Sequence, residues 1–212
     1  MDGPDTPREQ DERTAFPQHE LPSHAHMVWK SRCSEEANQT KTWTAFLQAH
    51  PEALLWNKQN SSLDAPVYAE LQRLVRTIGV PASLRPLLWQ TFSGAKAMME
   101  LAPNDYSRLT ASLTKEMRSS AVMAATADQV DKDLQRTFPT HDFFESKEGM
   151  ETLRRVLLAY SLRNPAVGYC QSMNFIVAIL ILFMEEEAAY WVLVALLPSQ
   201  SQMHARMHAH AP

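Results

Sequence analysis

Two polar side chains in this sequence, Arg136 and Gln171, are of the types that assist phosphoryl transfer. An arginine neutralises charge on the transferring phosphoryl group, and a glutamine orients the attacking water. Asp133 precedes Arg136 by three residues, so their side chains are neighbours if a helix extends that far. Gln171 follows a turn at Gly168, a residue type that permits unusual backbone angles. Presented together, the guanidinium and the amide are the groups that catalysed GTP hydrolysis needs.

The residues around these side chains resemble the signatures of the TBC domain, an all-helical family of GTPase-activating proteins for Rab GTPases. The first signature, I-x-x-D-x-x-R, reads V-D-K-D-L-Q-R at residues 130–136 and continues with Thr-Phe-Pro. The second, Y-x-Q, is Y-C-Q at residues 169–171, followed by Ser-Met-Asn. The segments at 79–81 (G-V-P) and 85–89 (R-P-L-L-W) are similar to the family's domain entrance. Three segments in the family's order make the resemblance specific.

The resemblance implies a role for each of four residues. Arg136 would be an arginine finger, and Gln171 a glutamine finger that replaces the water-orienting glutamine of the GTPase. Asp133 would orient Arg136, and Tyr169 would support the loop of Gln171. GTP and Mg²⁺ would be carried by the partner, a Rab-type GTPase in its GTP form. We therefore expect a regulator of vesicle traffic rather than an enzyme, with no cofactor or metal of its own. We also expect the protein to be cytoplasmic and to associate peripherally with endomembranes through its GTPase partner.

The composition predicts an all-α protein without a sheet. Hydrophobic residues make up 45% of the 212 residues and only 5 are glycine, so long helices can bury a core. The net charge of −4 argues against binding nucleic acid or an acidic membrane through bulk charge. Two cysteines form no disulfide framework, which fits a reducing compartment. The apolar run at residues 175–184 is shorter than the ~20 residues that cross a membrane, so we predict no transmembrane segment.

The sequence divides into four segments. Residues 1–41 are rich in polar types and proline, so we predict a disordered tail. Residues 42–69 form a predicted helical lead-in, and residues 70–197 a partial TBC domain. Residues 198–212 are polar and rich in histidine, which predicts a second disordered tail. Because the resemblance stops near Leu197, we expect a truncated domain whose uncovered apolar surface leads to self-association.

Apolar residues at helical spacing, together with proline and glycine breaks, predict the helices that position the two fingers. The helix of the first signature is predicted over residues 127–135, with Asp128 at its start. Pro139 is predicted to end this helix and to hold Phe138 extended. The clearest apolar stripe lies within residues 150–163. Further helices are predicted over residues 42–50, 65–77, 84–92, 95–101, 172–184 and 185–197.

Three alternatives stay open at the level of sequence. Arg154 and Arg155 lie off the apolar stripe, where they face solvent or contact an acidic partner. Cys170 is a candidate nucleophile, with His141 as its candidate base. The chain is also interpretable as a catalytically inactive, truncated TBC module that binds partners without activating a GTPase.

Overall fold

The computed structural model describes residues 23–56 and 63–197, with side chains from residue 32 onward. Across these ranges the chain forms ten α-helices and no strand, so the all-α prediction is confirmed. Short 3₁₀ segments at Pro51–Leu54 and Ala82–Leu84 and a π-helical turn at Leu74–Ile78 join some of them. The helices are α1 (Ser23–Ala49), α2 (Ala65–Arg73), α3 (Arg85–Ser93), α4 (Ala95–Leu101), α5 (Asp105–Ser119), α6 (Ala121–Leu134), α7 (Asp142–Glu145), α8 (Lys147–Arg163), α9 (Met173–Phe183) and α10 (Glu186–Leu196).

The larger of the two cores is built around α8, which packs against α5, α6, α7, α9 and α10. The predicted stripe of Leu153, Val156, Leu157 and Tyr160 on α8 is fully buried. Helix α10 is buried on most faces, with Trp191 at its centre, because its sequence is apolar nearly all round. This core fixes α6 and α9, the helices next to the two signatures.

A smaller core joins the C-terminal part of α1 to α2 and α3. Trp43, Leu74 and Leu88 are fully buried in it. The Trp43 indole Nε1 donates to the carbonyl oxygen of Gly79 at 2.6 Å, and Gly79 adopts a φ of 77° that favours glycine. Helix α2 runs across residue 70, where we predicted the lead-in to end, so the lead-in and the domain entrance share one core.

Helix α1 begins at Ser23, so the predicted disorder of residues 1–41 is wrong for residues 23–41. The buried Trp43 anchors the C-terminal part of this helix. Once a helix is nucleated, each added residue gains a hydrogen bond, so extension needs no apolar burial. The Glu36 carboxylate also accepts a hydrogen bond from the Ala82 backbone N–H at 2.7 Å, which ties the polar part of α1 to the domain. The segment 1–22 and the predicted tail at 198–212 lie outside the described residues.

Helix α6 begins at Ala121, six residues before the predicted start. The Ser120 hydroxyl caps it by accepting a hydrogen bond from the Met123 N–H at 3.3 Å. Asp128 therefore lies in the helix interior, where it pairs with Lys132 at 2.6 Å rather than acting as a cap. The first turns of α6 carry alanines and an exposed Val122, so they show no apolar stripe from which this start could be predicted.

Helix α9 leaves one apolar face uncovered among the described residues. Phe175, Ile176, Ile179 and Leu182 are each about 40% exposed. They recur at helical spacing along one side of α9, while its opposite side packs on α8 and α10. The uncovered apolar surface that the sequence predicts over residues 172–197 thus lies mainly on α9. No helix within residues 23–56 and 63–197 has the length and apolar character needed to cross a membrane.

Candidate functional site

A buried carboxylate lies at the end of α6. Asp133 occupies the last turn of the helix, and its side chain is 2% exposed. Its Oδ1 lies 2.7 Å from Nη2 of Arg136, which follows in the turn after the helix. The Arg136 side chain is 53% exposed. The ion pair therefore holds one terminal nitrogen of the guanidinium at a fixed carboxylate and leaves much of the side chain exposed.

The same carboxylate reaches the second signature. The Tyr169 hydroxyl donates to Asp133 Oδ2 at 2.6 Å, so both carboxylate oxygens are engaged. Burial and the bond to Asp133 raise the pKa of the Tyr169 phenol well above its ordinary value of 10.0. The hydroxyl therefore stays protonated, and remains a donor, throughout the physiological pH range. Three of the predicted site residues thus form one connected group.

Gln171 lies in the short turn that precedes α9, two residues after Tyr169. The Cys170 carbonyl closes this turn by accepting from the Met173 N–H at 3.1 Å, and Ser172 has a left-handed φ of 83°. The Gln171 side chain is exposed and makes no hydrogen bond to another described residue. Its amide is available to a partner at the end of the molecule where Tyr169 meets Asp133.

Two further polar residues, which the sequence analysis did not single out, lie beneath the fingers. Thr137 is 1% exposed and Asn174 is fully buried. The Thr137 hydroxyl donates to the Asp133 carbonyl at 2.7 Å, and Asn174 Nδ2 donates to Thr137 Oγ1 at 2.7 Å. The sequence does carry a signal for Asn174, because it is the one polar residue within Met173–Phe183. A buried amide in an apolar helix needs a partner, and Thr137 provides it.

The turn after Arg136 differs from the prediction. Helix α6 ends at Leu134, within one residue of the predicted end, and in the turn that follows the Thr137 N–H and hydroxyl bond to the carbonyls of Leu134 and Asp133. Phe138 is not extended but left-handed, with a φ of 46°. Its ring packs against Phe144 and Phe175, with centroid separations of 6.1 and 5.6 Å. These contacts hold a backbone conformation that is strained for a bulky residue.

Arg154 and Arg155 of α8 are partly exposed and are paired with acidic residues of this chain. Arg154 pairs with Asp131 of α6 at 2.6 Å. Arg155 bonds through both Nε and Nη2 to the Glu186 carboxylate at the start of α10, each at 2.7 Å. The Tyr106 hydroxyl donates to the same carboxylate. Both arginines therefore join neighbouring helices rather than facing solvent freely, and contact of either with an acidic partner stays a prediction.

The alternative of a cysteine nucleophile gains no support from the geometry. Cys170 is exposed, and its Sγ lies 3.8 Å from the Val167 carbonyl oxygen. His141 Nδ1 instead accepts a hydrogen bond from the Phe143 N–H at 3.3 Å, at the start of α7. In the part of the chain that the structure describes, no hydrogen bond joins Cys170 to His141.

An open groove of about 470 Å³ adjoins Tyr169 along the N-terminal half of α6. Its lining carries no charged side chain. The lining residues are Ala121, Val122, Ala125, Thr126, Gln129 and Tyr169.

Comparisons with known proteins agree with this architecture. A Rab-GTPase-TBC domain profile matches residues 82–211 and so continues past Leu197. The GTPase-activating protein MSB4 of Saccharomyces cerevisiae is 39% identical over 166 residues, covering 73% of this chain and 31% of that protein. The GTPase-activating protein GYP3 of the same yeast is 35% identical over 179 residues, covering 75% of this chain and 28% of that protein.

Two further proteins extend the comparison. TBC1 domain family member 2A of Mus musculus is 41% identical over 131 residues, covering 60% of this chain and 13% of that protein. The crystal structure of the Chlamydomonas flagellar RabGAP TBC domain aligns with a TM-score of 0.60 at 30% identity, covering 84% of this chain and 55% of that one. The chain thus spans less than a third of the length of either yeast relative. Because the domain profile matches more than half of its residues, the chain belongs to the Rab-GTPase-TBC domain family.

Proposed function

We propose that this chain accelerates GTP hydrolysis on a Rab-type small GTPase by supplying Arg136 and Gln171 in trans. The observation that carries the proposal is the buried Asp133 carboxylate, which contacts both Arg136 and Tyr169. Through it, the loops that carry the two exposed side chains are joined at one end of the molecule. The yeast relatives are described as GTPase-activating proteins, and the aligned crystal structure as a RabGAP domain, which supports the same activity here.

Arg136 has the chemistry of an arginine finger. As the γ-phosphoryl group transfers, negative charge spreads over its oxygens, and a planar guanidinium neutralises that charge while donating to two oxygens at once. The ion pair to Asp133 orients the side chain before the GTPase arrives, so less side-chain entropy is lost in the complex. The half-exposed position leaves guanidinium N–H groups free for the phosphate.

Gln171 acts on the other reactant. Its side-chain oxygen accepts from the attacking water and its N–H₂ group donates toward the phosphate, which aligns the water for in-line attack. GTP and Mg²⁺ belong to the GTPase and are its substrate and its ion, so this chain completes the partner's active site. By this proposal the chain regulates vesicle traffic from the cytoplasm, at the endomembranes to which its Rab partner is attached.

A second candidate function is favoured by the uncovered face of α9. Four exposed apolar side chains in one row suit contact with another protein surface, and patches of this kind are uncommon on soluble monomers. On this alternative the chain binds partners, or itself, without stimulating hydrolysis. Self-association measured by light scattering, together with intact binding and no stimulation, would favour the interaction module.

The activity is tested with a panel of GTP-loaded Rab proteins mixed with the chain and followed for phosphate release. Arg136→Ala is the inactivating variant, and Arg73→Ala is the matched control, because Arg73 pairs with Glu70 on the surface of α2. We expect at least one Rab to be accelerated by the wild type and by Arg73→Ala, but not by Arg136→Ala. A chain that melts cooperatively and accelerates no Rab in a comprehensive panel would contradict the proposal.

A further inference from the structure

Four polar residues form a ring of close polar contacts beside Arg136 and Gln171, which is closed through the backbone carbonyl of Asp133. Asp133 and Thr137 come from the end of α6 and the turn after it, and Tyr169 and Asn174 from either side of the Gln171 turn. Asp133, Thr137 and Asn174 are each 1% exposed or less. Burying polar groups is costly unless each finds a partner, and hydrogen bonds within a low-dielectric interior are strengthened. A ring of this kind holds one geometry.

The Asn174 amide closes the ring with both of its ends. Its Nδ2 donates to Thr137 Oγ1 at 2.7 Å, and its Oδ1 lies 3.3 Å from the Tyr169 hydroxyl, which donates its one proton chiefly to Asp133 Oδ2. Thr137 directly follows Arg136, while Asn174 comes three residues after Gln171. A leucine at position 174 would fill the same space within an otherwise apolar helix. The amide therefore connects the backbone beside one finger to the backbone beside the other.

The backbone on both sides carries strain that the ring can maintain. Phe138, two residues after Arg136, has a φ of 46°, and Ser172, next to Gln171, has a φ of 83°. Left-handed conformations are unfavourable for side chains of these types and persist where the surroundings over-determine them. The ring residues Thr137 and Asn174 each lie within two residues of one of these positions. Losing the ring would remove one restraint on each turn, while the packing of Phe138 against Phe144 and Phe175 would remain.

We propose that Thr137 and Asn174 are positioning residues that couple the Arg136 loop to the Gln171 loop, so that the two fingers are presented as one unit. Neither residue needs to touch the nucleotide, because both are buried. The catalytic meaning of this coupling rests on the proposed GTPase-activating function, whereas the coupling itself can be measured without any GTPase.

The coupling is tested by placing a probe on one loop and a substitution on the other. Cys170 is exposed between Tyr169 and Gln171, and the other cysteine, Cys33, is also exposed and is replaced by serine. A trifluoromethyl label on Cys170 then reports on the Gln171 loop by ¹⁹F NMR. We expect Thr137→Val, on the Arg136 loop, to shift the signal or split it into more than one.

Two control variants isolate the hydroxyl of Thr137. Thr137→Ser keeps the hydroxyl and should retain the wild-type signal. Thr110→Val is the matched control on α5, because Thr110 also bonds to the carbonyl four residues before it but lies outside the ring. A Thr137→Val spectrum that superimposes on the wild type, or an equal change in Thr110→Val, would overturn the proposal.

A second measurement keeps the proposal testable if Thr137→Val does not fold. Tyr169→Phe preserves the aromatic ring and removes only the hydroxyl that contacts Asp133 and Asn174. Amide hydrogen exchange then measures how this substitution on the Gln171 side affects the backbone on the Arg136 side. We expect faster exchange at the N–H groups of Arg136 and Thr137, and exchange at the wild-type rate would count against the coupling.

With a Rab that responds to the wild type, the coupling also predicts a kinetic signature. Small displacements of a catalytic group cost up to ~10²-fold in rate, so we expect Asn174→Leu to lower the kcat of stimulated hydrolysis by about 10–100-fold. The KM for the GTPase should change by less than about threefold, since the loss falls on the transition state. A loss of kcat/KM that comes entirely from a higher KM, with kcat unchanged, would exclude a positioning role. If no Rab responds but the NMR change appears, the coupling stands and the proposed function fails.

Discussion

Two clusters in this molecule each contain a carboxylate, an arginine guanidinium and a tyrosine hydroxyl, but the three groups are arranged differently. Asp133 meets Arg136 and Tyr169 at the finger end, while Glu186 meets Arg155 and Tyr106 between α10, α8 and α5. In the second cluster both Nε and Nη2 of Arg155 bond to the carboxylate, and Nη2 also donates to Thr152. That guanidinium is largely occupied, and the cluster joins three helices.

In the first cluster the carboxylate is buried and the arginine projects outward. Asp133 is 2% exposed and Arg136 53%, and the pair is local, three residues apart. The ion pair therefore orients the guanidinium through Nη2 alone, and no contact of Nε or Nη1 with another described residue is seen. The comparison teaches that the same three groups either join helices or present an arginine to a partner, depending on how far the carboxylate is buried and the arginine exposed; the proposed function assigns the second use to Arg136. The predictions below separate the two clusters, from the largest effect to the smallest.

Arg136→Ala should remove nearly all stimulated hydrolysis, because an arginine finger is typically worth ~10³–10⁵ in rate. Arg136→Lys should not restore it, since an ammonium lacks the planar fork. Phosphate release under single-turnover conditions measures both. If Arg136→Lys stimulated hydrolysis as strongly as the wild type, the assignment of Arg136 as an arginine finger would be contradicted.

Gln171→Ala should lower stimulated hydrolysis by about 10²-fold or more, since the attacking water loses its orientation. The fold should survive, because the Gln171 side chain is exposed and bonds to no other described residue. Gln135→Ala, an exposed glutamine beside the other finger, is the matched control and should stay active. If circular dichroism shows that Gln171→Ala unfolds the chain, Gln171 has a structural role instead.

Arg155→Ala should show the reverse pattern, with lowered stability and retained catalysis. It leaves Glu186 without its cation, and the loss of charge-assisted hydrogen bonds at this partly exposed site should cost about 1–2 kcal/mol of unfolding free energy. Urea unfolding measures the loss, and phosphate release is measured at a temperature where the variant remains folded. A catalytic loss as large as that of Arg136→Ala would erase the distinction between the clusters.

The Glu186 cluster should also give stability a pH dependence. Burial alone would raise the pKa of Glu186, but the hydrogen bonds from Arg155 and Tyr106 outweigh it and hold the pKa below its ordinary value of 4.5. A carboxylate with a lowered pKa stabilises the fold above the unfolded-state pKa and loses that contribution as the pH falls through the folded-state value.

The melting temperatures of the wild type and Glu186→Gln should therefore differ most above pH 4.5 and converge as the medium becomes more acidic. Glu100→Gln, on the surface of α4, is the control for a change of one charge. A difference that widened on acidification would contradict the assigned cause of the shift.

Ser172→Gly should have the smallest effect. Glycine removes the strain of a φ of 83° but gains freedom in the unfolded chain, so we expect a gain of about 0.5 kcal/mol or less in unfolding free energy. Ser107→Gly, in the regular helix α5, should instead lose about 0.5–1 kcal/mol. Chemical denaturation compares the two, and a loss in Ser172→Gly equal to that in Ser107→Gly would mean that the turn carries no strain.

The main core and two members of the cluster at Asp133 could be predicted from the sequence, because local rules determine them. The stripe of α8 follows helical periodicity, and Asp133 and Arg136 are neighbours through spacing alone. The resemblance assigned Tyr169 to support the loop of Gln171, and its hydrogen bond to Asp133 was not predicted.

What escaped prediction depends on contacts between distant parts of the chain. The bond from Asn174 to Thr137 spans 37 residues, and the pair of Arg155 with Glu186 spans 31. Periodicity indicates which face of a helix is apolar, but it does not show which element covers that face. The left-handed Phe138 likewise follows from packing against Phe144 and Phe175, which overrides the local preference imposed by Pro139.

The most direct test of the central claim is the formation of a complex with a transition-state analogue. The chain is mixed with a GDP-loaded Rab in the presence and absence of aluminium fluoride, which mimics the transferring phosphoryl group, and complex formation is followed by size-exclusion chromatography. Groups that act on the transition state bind its analogue far more tightly than the ground state. We predict a complex that requires aluminium fluoride with the wild type and is lost in both Arg136→Ala and Gln171→Ala. A complex of equal stability with either variant would contradict the claim that these two side chains complete the GTPase active site.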